Sequence, residues 1–257
     1  MQALMRPGGA LHIRIDGPAD APRLLMLNSL GTDLRLWDGL MPHLRGFRVI
    51  RYDKQGHGLS DLWDGTSIAD HAADAVAVIE AAGAPVTLVG CSIGGLIAQA
   101  VAAARPDLAR ALVLSNSAAK LGTAESWNQR IAAVEAGGTE SIADAVMERW
   151  FAAPFRASPD LALWRNMLAR TAAPGYTAAC RALASGDQTE ATRALRLPAL
   201  VIAGAEDGAS PPDLVRATAG LIAGAEYHLI PGAGHLPCVE TPAAMVALLI
   251  PFLERHA

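Results

Sequence analysis

Val86-Thr87-Leu88-Val89-Gly90-Cys91-Ser92-Ile93-Gly94-Gly95, running on into Leu96-Ile97-Ala98-Gln99-Ala100, is the stretch that decides the fold. Residues 86–90 are short, apolar and β-branched, the composition of a buried strand. Residues 95–104 are rich in Ala, Leu and Gln, which favours a helix. A serine on a tight turn between the two has its hydroxyl thrown out at the carboxyl end of a sheet. The small residues at 90, 94 and 95 let such a strained turn pass close to neighbouring backbone. G-x-S-x-G alone is a weak signal, and Ser92 could be a turn serine. The strand–turn–helix setting makes a serine nucleophile the leading hypothesis.

Working outward, Leu11–Asp16 alternates and is expected to pair as a hairpin edge. Arg23–Asn28 and Phe47–Arg51 read as short apolar strands, separated by a helical stretch from about Asp33 to Leu44. Thr66–Ala82 carries apolar residues at helical spacing and ends at Gly83. Val86–Gly90, Ala111–Ser115, Pro198–Ala203 and Ala225–Ile230 complete the strands, with helices after most of them. This alternation predicts a mostly parallel sheet covered by helices on both faces. It breaks between Lys120 and Leu195, a stretch without strand-like runs, punctuated by Gly137-Gly138, Pro154, Pro159 and Pro174-Gly175. An insertion at the carboxyl ends of the strands, where sites in open α/β sheets lie, is expected to cover the site. The expected division is a core of residues 1–119 and 196–257 and a helical cap of residues 120–195.

A chain of 257 residues can bury a sizeable core as one large α/β domain. The net charge of −4, without a basic cluster, argues against a nucleic-acid partner. The N-terminus has no apolar h-region, which argues against a secretory signal. The longest apolar stretch, around Met245–Leu253, contains Pro251 and is far short of a membrane span. Cys91, Cys180 and Cys238 are odd in number and scattered, so neither a disulfide framework nor a metal site is expected. A cytoplasmic protein, free to assemble as a homo-oligomer, fits these features.

A serine hydroxyl needs a base, the base an orienting acid, and the oxyanion its donors. Asp207 follows the strand Pro198–Ala203, and His235, in Pro231-Gly232-Ala233-Gly234-His235, follows the strand Ala225–Ile230. The order serine, acid, histidine is that of the α/β-hydrolase fold. Glu206 and Asp187 compete for the role of acid. His57, in Gly56-His57-Gly58, competes for that of base but precedes the serine, so a turn role fits it better. His12, His43, His71, His228 and His256 read as surface or packing residues. The backbone N–H of Ile93 is expected to be one oxyanion donor. The second is assigned to Leu30, in the turn Asn28-Ser29-Leu30-Gly31-Thr32, and Asp33 is expected to cap the helix after that turn. Loss of one such donor costs about 3–4 kcal/mol of transition-state stabilisation.

Further stretches narrow the family. They are Asn28-Ser29-Leu30-Gly31-Thr32-Asp33-Leu34, Arg51-Tyr52-Asp53 leading into Gly56-His57-Gly58-Leu59-Ser60, and Trp127-Asn128-Gln129-Arg130-Ile131. Ile142–Phe151, Pro174-Gly175-Tyr176 and Ala203–Asp207 through Pro211-Pro212 continue the series. Together they closely resemble the 3-oxoadipate enol-lactonases of the β-ketoadipate pathway, over nearly the whole chain including the cap. There are two departures. Lys54-Gln55 stands where the family has Arg two residues after Asp53, with a modest effect on the turn expected. Gly234-His235-Leu236-Pro237-Cys238 also differs from the family's pattern.

The resemblance implies a small lactone substrate bearing a carboxylate, and no cofactor. His235 would take the proton of Ser92, and Leu30 and Ile93 would hold the oxyanion. An enolate would leave, and water activated by His235 would release the acid. Arg130 shares a helix face with Trp127, and both are expected to line the pocket, Arg130 on the carboxylate and Trp127 against the ring. The same triad serves generic carboxylesterases, other lactonases and carbon–carbon bond hydrolases. A ligand receptor on a hydrolase scaffold is the alternative from a different class.

Overall fold

The structure, a computed structural model, describes residues 2–257. In chain order its elements are β1 (Gln2–Arg6), β2 (Gly9–Asp16), β3 (Arg23–Leu27), β4 (Arg48–Tyr52), α1 (Ile68–Ala82), β5 (Val86–Cys91), α2 (Ile93–Ala104) and β6 (Ala109–Ser115). Six helices follow without a strand: α3 (Ala124–Gly137), α4 (Ala143–Trp150), α5 (Ala153–Arg156), α6 (Leu161–Ala169), α7 (Ala173–Ser185) and α8 (Thr189–Ala194). The chain then returns through β7 (Ala199–Gly204), α9 (Pro212–Ala219), β8 (Glu226–Ile230), α10 (Pro237–Glu240) and α11 (Pro242–His256).

The strands form one sheet in the order β1-β2-β4-β3-β5-β6-β7-β8. Only the β1–β2 and β2–β4 pairs are antiparallel; β3 to β8 run parallel. Every residue of β5 and β7 is buried, as expected of strands covered on both faces. This is the α/β-hydrolase architecture, a mostly parallel sheet flanked by helices, with the six-helix segment entering after β6. No helix is long and apolar enough to cross a membrane among the described residues. All three cysteines are free and buried.

Two local expectations are corrected. Leu11–Asp16 is not an edge: β2 lies between β1 and β4, and the edge is β1, whose five residues carry too weak an alternation to announce a strand. The expected helix from Asp33 to Leu44 is instead two short 3₁₀ turns, Leu34–Trp37 and Met41–His43. Leu36, Asp38, Leu40 and Met41 each donate to the carbonyl three residues back, and the buried Asp53 carboxylate takes the Leu34 N–H at 2.7 Å. With Gly39 and Pro42 in the stretch, an α-helical ladder does not close. Asp33 does cap the first turn, accepting the Arg35 N–H.

At the crossing of β5, β3 and α2 the backbones are nearly in contact. A Cβ on Gly94 would lie 2.1 Å from the Leu27 carbonyl oxygen, and one on Gly90 2.4 Å from that of Gly94. Gly94→Ala is therefore expected to cost about 3 kcal/mol, since backbone cannot move aside like a side chain. Urea unfolding checks it; an unchanged midpoint would mean that the turn has room to shift.

Candidate active site

Ser92 sits between β5 and α2 with φ 56° and ψ −123°, a conformation that costs a non-glycine residue on the order of 1–3 kcal/mol and persists only where neighbours hold it. Its N–H donates to Ser115 O at 3.1 Å, and its carbonyl accepts from Gly95 N at 2.8 Å and Ser117 Oγ at 2.7 Å. With its backbone so fixed, the half-buried side chain faces a cavity of about 120 Å³. Ile93 is the first residue of α2, so its N–H has no partner within the helix. Leu30 lines the same cavity from the turn after β3. That turn closes through the Thr32 N–H and Thr32 Oγ1, both donating to Ser29 O, and the Leu30 N–H makes no hydrogen bond among the described residues.

His235 and Asp207 come from the loops after β8 and β7. Asp207 Oδ2 lies 2.9 Å from His235 Nδ1, with both side chains buried. Two residues that the sequence reading missed complete this end. Asn116 Nδ2 donates to Asp207 Oδ2 at 2.8 Å, and Ser210 Oγ donates to the same oxygen at 2.7 Å. Asp207 Oδ1 accepts the Ala209 and Ser210 N–H groups. Burial works to raise the Asp207 carboxyl. The His235 charge and the hydrogen bonds from His235, Asn116 and Ser210 outweigh it and hold the group below the ordinary carboxylate range. Signals for both residues existed: Asn116 follows the end of β6, and Ser210 lies three residues after the acid, a common turn spacing. At the other end of the imidazole, Ser29 Oγ is 3.5 Å from Nε2, and Ser92 Oγ makes no hydrogen bond among the described residues. Ser92 and His235 nevertheless share the cavity wall.

Trp127 and Arg130, both half-buried on α3, also line the cavity. The Trp127 indole N–H donates to Leu121 O at 2.6 Å, and Arg130 Nη1 donates to the Tyr176 hydroxyl at 3.3 Å. Arg149 and Tyr176 are further lining residues to which the sequence reading gave no role. Arg149 Nε donates to Gly208 O at 3.2 Å. Partial burial and the neighbouring Arg130 charge both disfavour the Arg149 cation. Two guanidiniums, those of Arg130 and Arg149, thus border one small cavity.

The end of α4 is tied to both loops of the acid–histidine pair. Arg149 O accepts the Gly208 N–H at 3.1 Å and Trp150 O the His235 N–H at 2.7 Å. The Trp150 and His235 rings stack at a centroid distance of 6.3 Å. Glu240, which burial pushes up to about 7, accepts from the Gly234 N–H and the Ala152 N–H, both at 2.8 Å.

The competing candidates lie elsewhere. Asp187 pairs with Lys120 at the surface, at 3.1 Å. Glu206 is exposed, and its N–H donates to Ala233 O. His57 is buried with Nδ1 3.2 Å from Gln55 O, a turn contact. His12 pairs with Asp53 at 2.8 Å. Neither they nor His43, His71, His228 and His256 line the cavity.

Residues 22–242 match the family model described as the alpha/beta hydrolase fold. The 3-oxoadipate enol-lactonase 1 of Acinetobacter baylyi is 35% identical over 79% of this chain and 77% of its own. The 3-oxoadipate enol-lactonase 2 of the same organism is 36% identical over 77% and 76%. Among solved structures, the enol-lactonase from Burkholderia xenovorans LB400 superposes with a TM-score of 0.95 at 35% identity, covering 98% of this chain and all of that one.

Asn116→Ala removes one donor to Asp207 and should cut kcat about tenfold with little change in KM, because it loosens Asp207 without touching the cavity wall. Asp207→Asn should cost about 10⁴-fold in kcat by presenting the wrong imidazole tautomer. Steady-state kinetics of the two variants check both; an Asp207→Asn enzyme within tenfold of the wild type would remove Asp207 from the orienting role.

Proposed function

The chain belongs to the α/β-hydrolase family, and from that premise we propose that it is a serine hydrolase opening the ring of 3-oxoadipate enol-lactone to give 3-oxoadipate, a step of aromatic catabolism in the β-ketoadipate pathway. The observation that carries the reading is one small cavity bounded by Ser92, two arginines and His235, which Asp207 holds from outside the cavity wall. The enol-lactonase names of the relatives at 35–36% identity agree with it.

In this reading His235 Nε2 takes the Ser92 proton as Oγ attacks the lactone carbonyl. Asp207 holds Nδ1–H and stabilises the imidazolium that forms. The N–H groups of Leu30 and Ile93 take the oxyanion. Collapse breaks the ring C–O bond and releases an enolate, a better leaving group than an alkoxide. The proton that His235 took from Ser92 passes to the departing enolate, which ends as the ketone, and the neutral imidazole is restored as a base. Water, deprotonated by His235, then attacks the acyl-serine and frees the second carboxylate. The substrate's own carboxylate rests on Arg130, with Trp127 against the ring. The helical segment 120–195 serves as a cap that closes the cavity, since Trp127, Arg130, Arg149 and Tyr176 all come from it.

Two assays test this. Loss of enol-lactone absorbance should be fast in the wild type and absent in Ser92→Ala, with p-nitrophenyl acetate a poor substrate. Arg130→Ala should raise KM for the acidic lactone at least about tenfold while leaving the neutral ester unaffected. Ester turnover without lactone turnover would make the protein a general esterase; equal losses on both substrates would remove Arg130 from carboxylate binding.

A further inference from the structure

Lys54 is 3% exposed, and its hydrogen bonds among the described residues go to carbonyls and to no carboxylate. Its ammonium donates to Ser29 O at 2.6 Å and to Thr32 O at 3.3 Å. Both carbonyls belong to the turn that carries Leu30. Ser29 C=O and Leu30 N–H are the two ends of one peptide unit, and in a planar trans peptide they point in opposite directions. A cation fixed on the carbonyl end therefore turns the N–H end away from Lys54, and Leu30 faces the cavity. A charged donor on the carbonyl also polarises the amide, which makes its N–H a stronger donor. The same clamp holds Ser29, whose hydroxyl lies 3.5 Å from His235 Nε2.

We propose, resting on the hydrolytic reading above, that Lys54 is a positioning residue for the oxyanion: its ammonium fixes and polarises the 29–30 peptide so that the Leu30 N–H is held ready for the developing charge.

The arrangement makes the device sensitive to pH. Burial pulls the Lys54 ammonium down to about 7, against the pull of Asp53, Asp33 and Cys91, which favour the charge. His57 and His71, the other titratable groups that face it, are disfavoured as cations first by burial and then by the Lys54 charge. A neutral amine still donates but polarises the peptide less, so kcat should decline as pH rises above about 7. Stability should move the other way. The unfolded chain keeps this proton up to its ordinary value of 10.5, while the folded chain releases it near 7, so Lys54's contribution to stability grows with pH across that window. A merely structural lysine would not couple rising stability to falling kcat.

The test compares wild type, Lys54→Met and Lys54→Gln on the enol-lactone and on p-nitrophenyl acetate from about pH 6 to 10. Lys54→Met is expected to lose about tenfold or more in kcat, with KM within about twofold, and to lose the alkaline decline. Lys54→Gln, a neutral donor, should recover part of kcat, also without the decline. Either variant keeping wild-type kcat, or keeping the wild-type alkaline limb, overturns the assignment of Lys54 while leaving the hydrolase reading intact. Should neither variant fold, the wild type decides alone: a kcat that does not fall between about pH 7 and pH 9 overturns the proposal. A wild type inert on both substrates removes the hydrolytic reading and this inference together.

Discussion

The left-handed backbone of Ser92 is the constraint on which the remaining geometry hangs. At φ 56° the chain leaves β5 and enters α2 without a connecting loop, so the side chain projects while the backbone is gripped from below. Holding that conformation requires the Ser115 carbonyl and the Ser117 hydroxyl, which means β6 must lie beside β5. It also requires bare backbone at Gly90, Gly94 and Gly95, because a Cβ at each would fall within 2.4 Å of another chain segment. The strain is local and the restraint is not: the neighbouring strands and α2 are placed by the need to hold one residue in a conformation it would not choose.

A second layer of restraint comes from the helical segment. The carbonyls of Arg149 and Trp150 accept N–H groups from the loops that carry the acid and the histidine, and Glu240 bonds both Gly234 and Ala152. These links place the helical segment's contribution in the architecture of the proposed triad as well as over the cavity. Any opening of the proposed cap that releases α4 would also release His235. Opening is more easily accommodated by α3 and α7, which supply Trp127, Arg130 and Tyr176 without such backbone ties to the two loops.

How much of this was legible in the sequence depends on how far apart the partners are. The surroundings of Ser92 are written in adjacent residues, as a β-branched run, small residues and a helix former. Asp207 and His235 could be found because each lies just past an apolar strand, where parallel sheets place their chemistry. Asn116 and Ser210 escaped because their meaning depends on a partner: Asn116 lies 91 residues before Asp207 in the chain. Lys54 escaped for the same reason. Lys54-Gln55 reads as a departure with a modest effect on its own turn until the clamp of Lys54 on a loop 25 residues away is seen. The Asp33–Leu44 stretch misled because its buried Leu34, Leu36 and Trp37 mimic helical spacing, while Gly39 and Pro42 keep an α-helical ladder from closing.

In the proposed mechanism Ser92 carries the reactive oxygen, and its rival is Ser29, whose hydroxyl is the one within 3.5 Å of His235 Nε2. A fluorophosphonate separates them, since the attacking oxygen displaces fluoride and keeps the phosphorus. Peptide mass spectrometry of the labelled protein should find the adduct on Ser92 alone, and labelling should slow sharply when His235 is replaced. An adduct on Ser29, or a folded protein that takes no label, would remove Ser92 from the role of nucleophile.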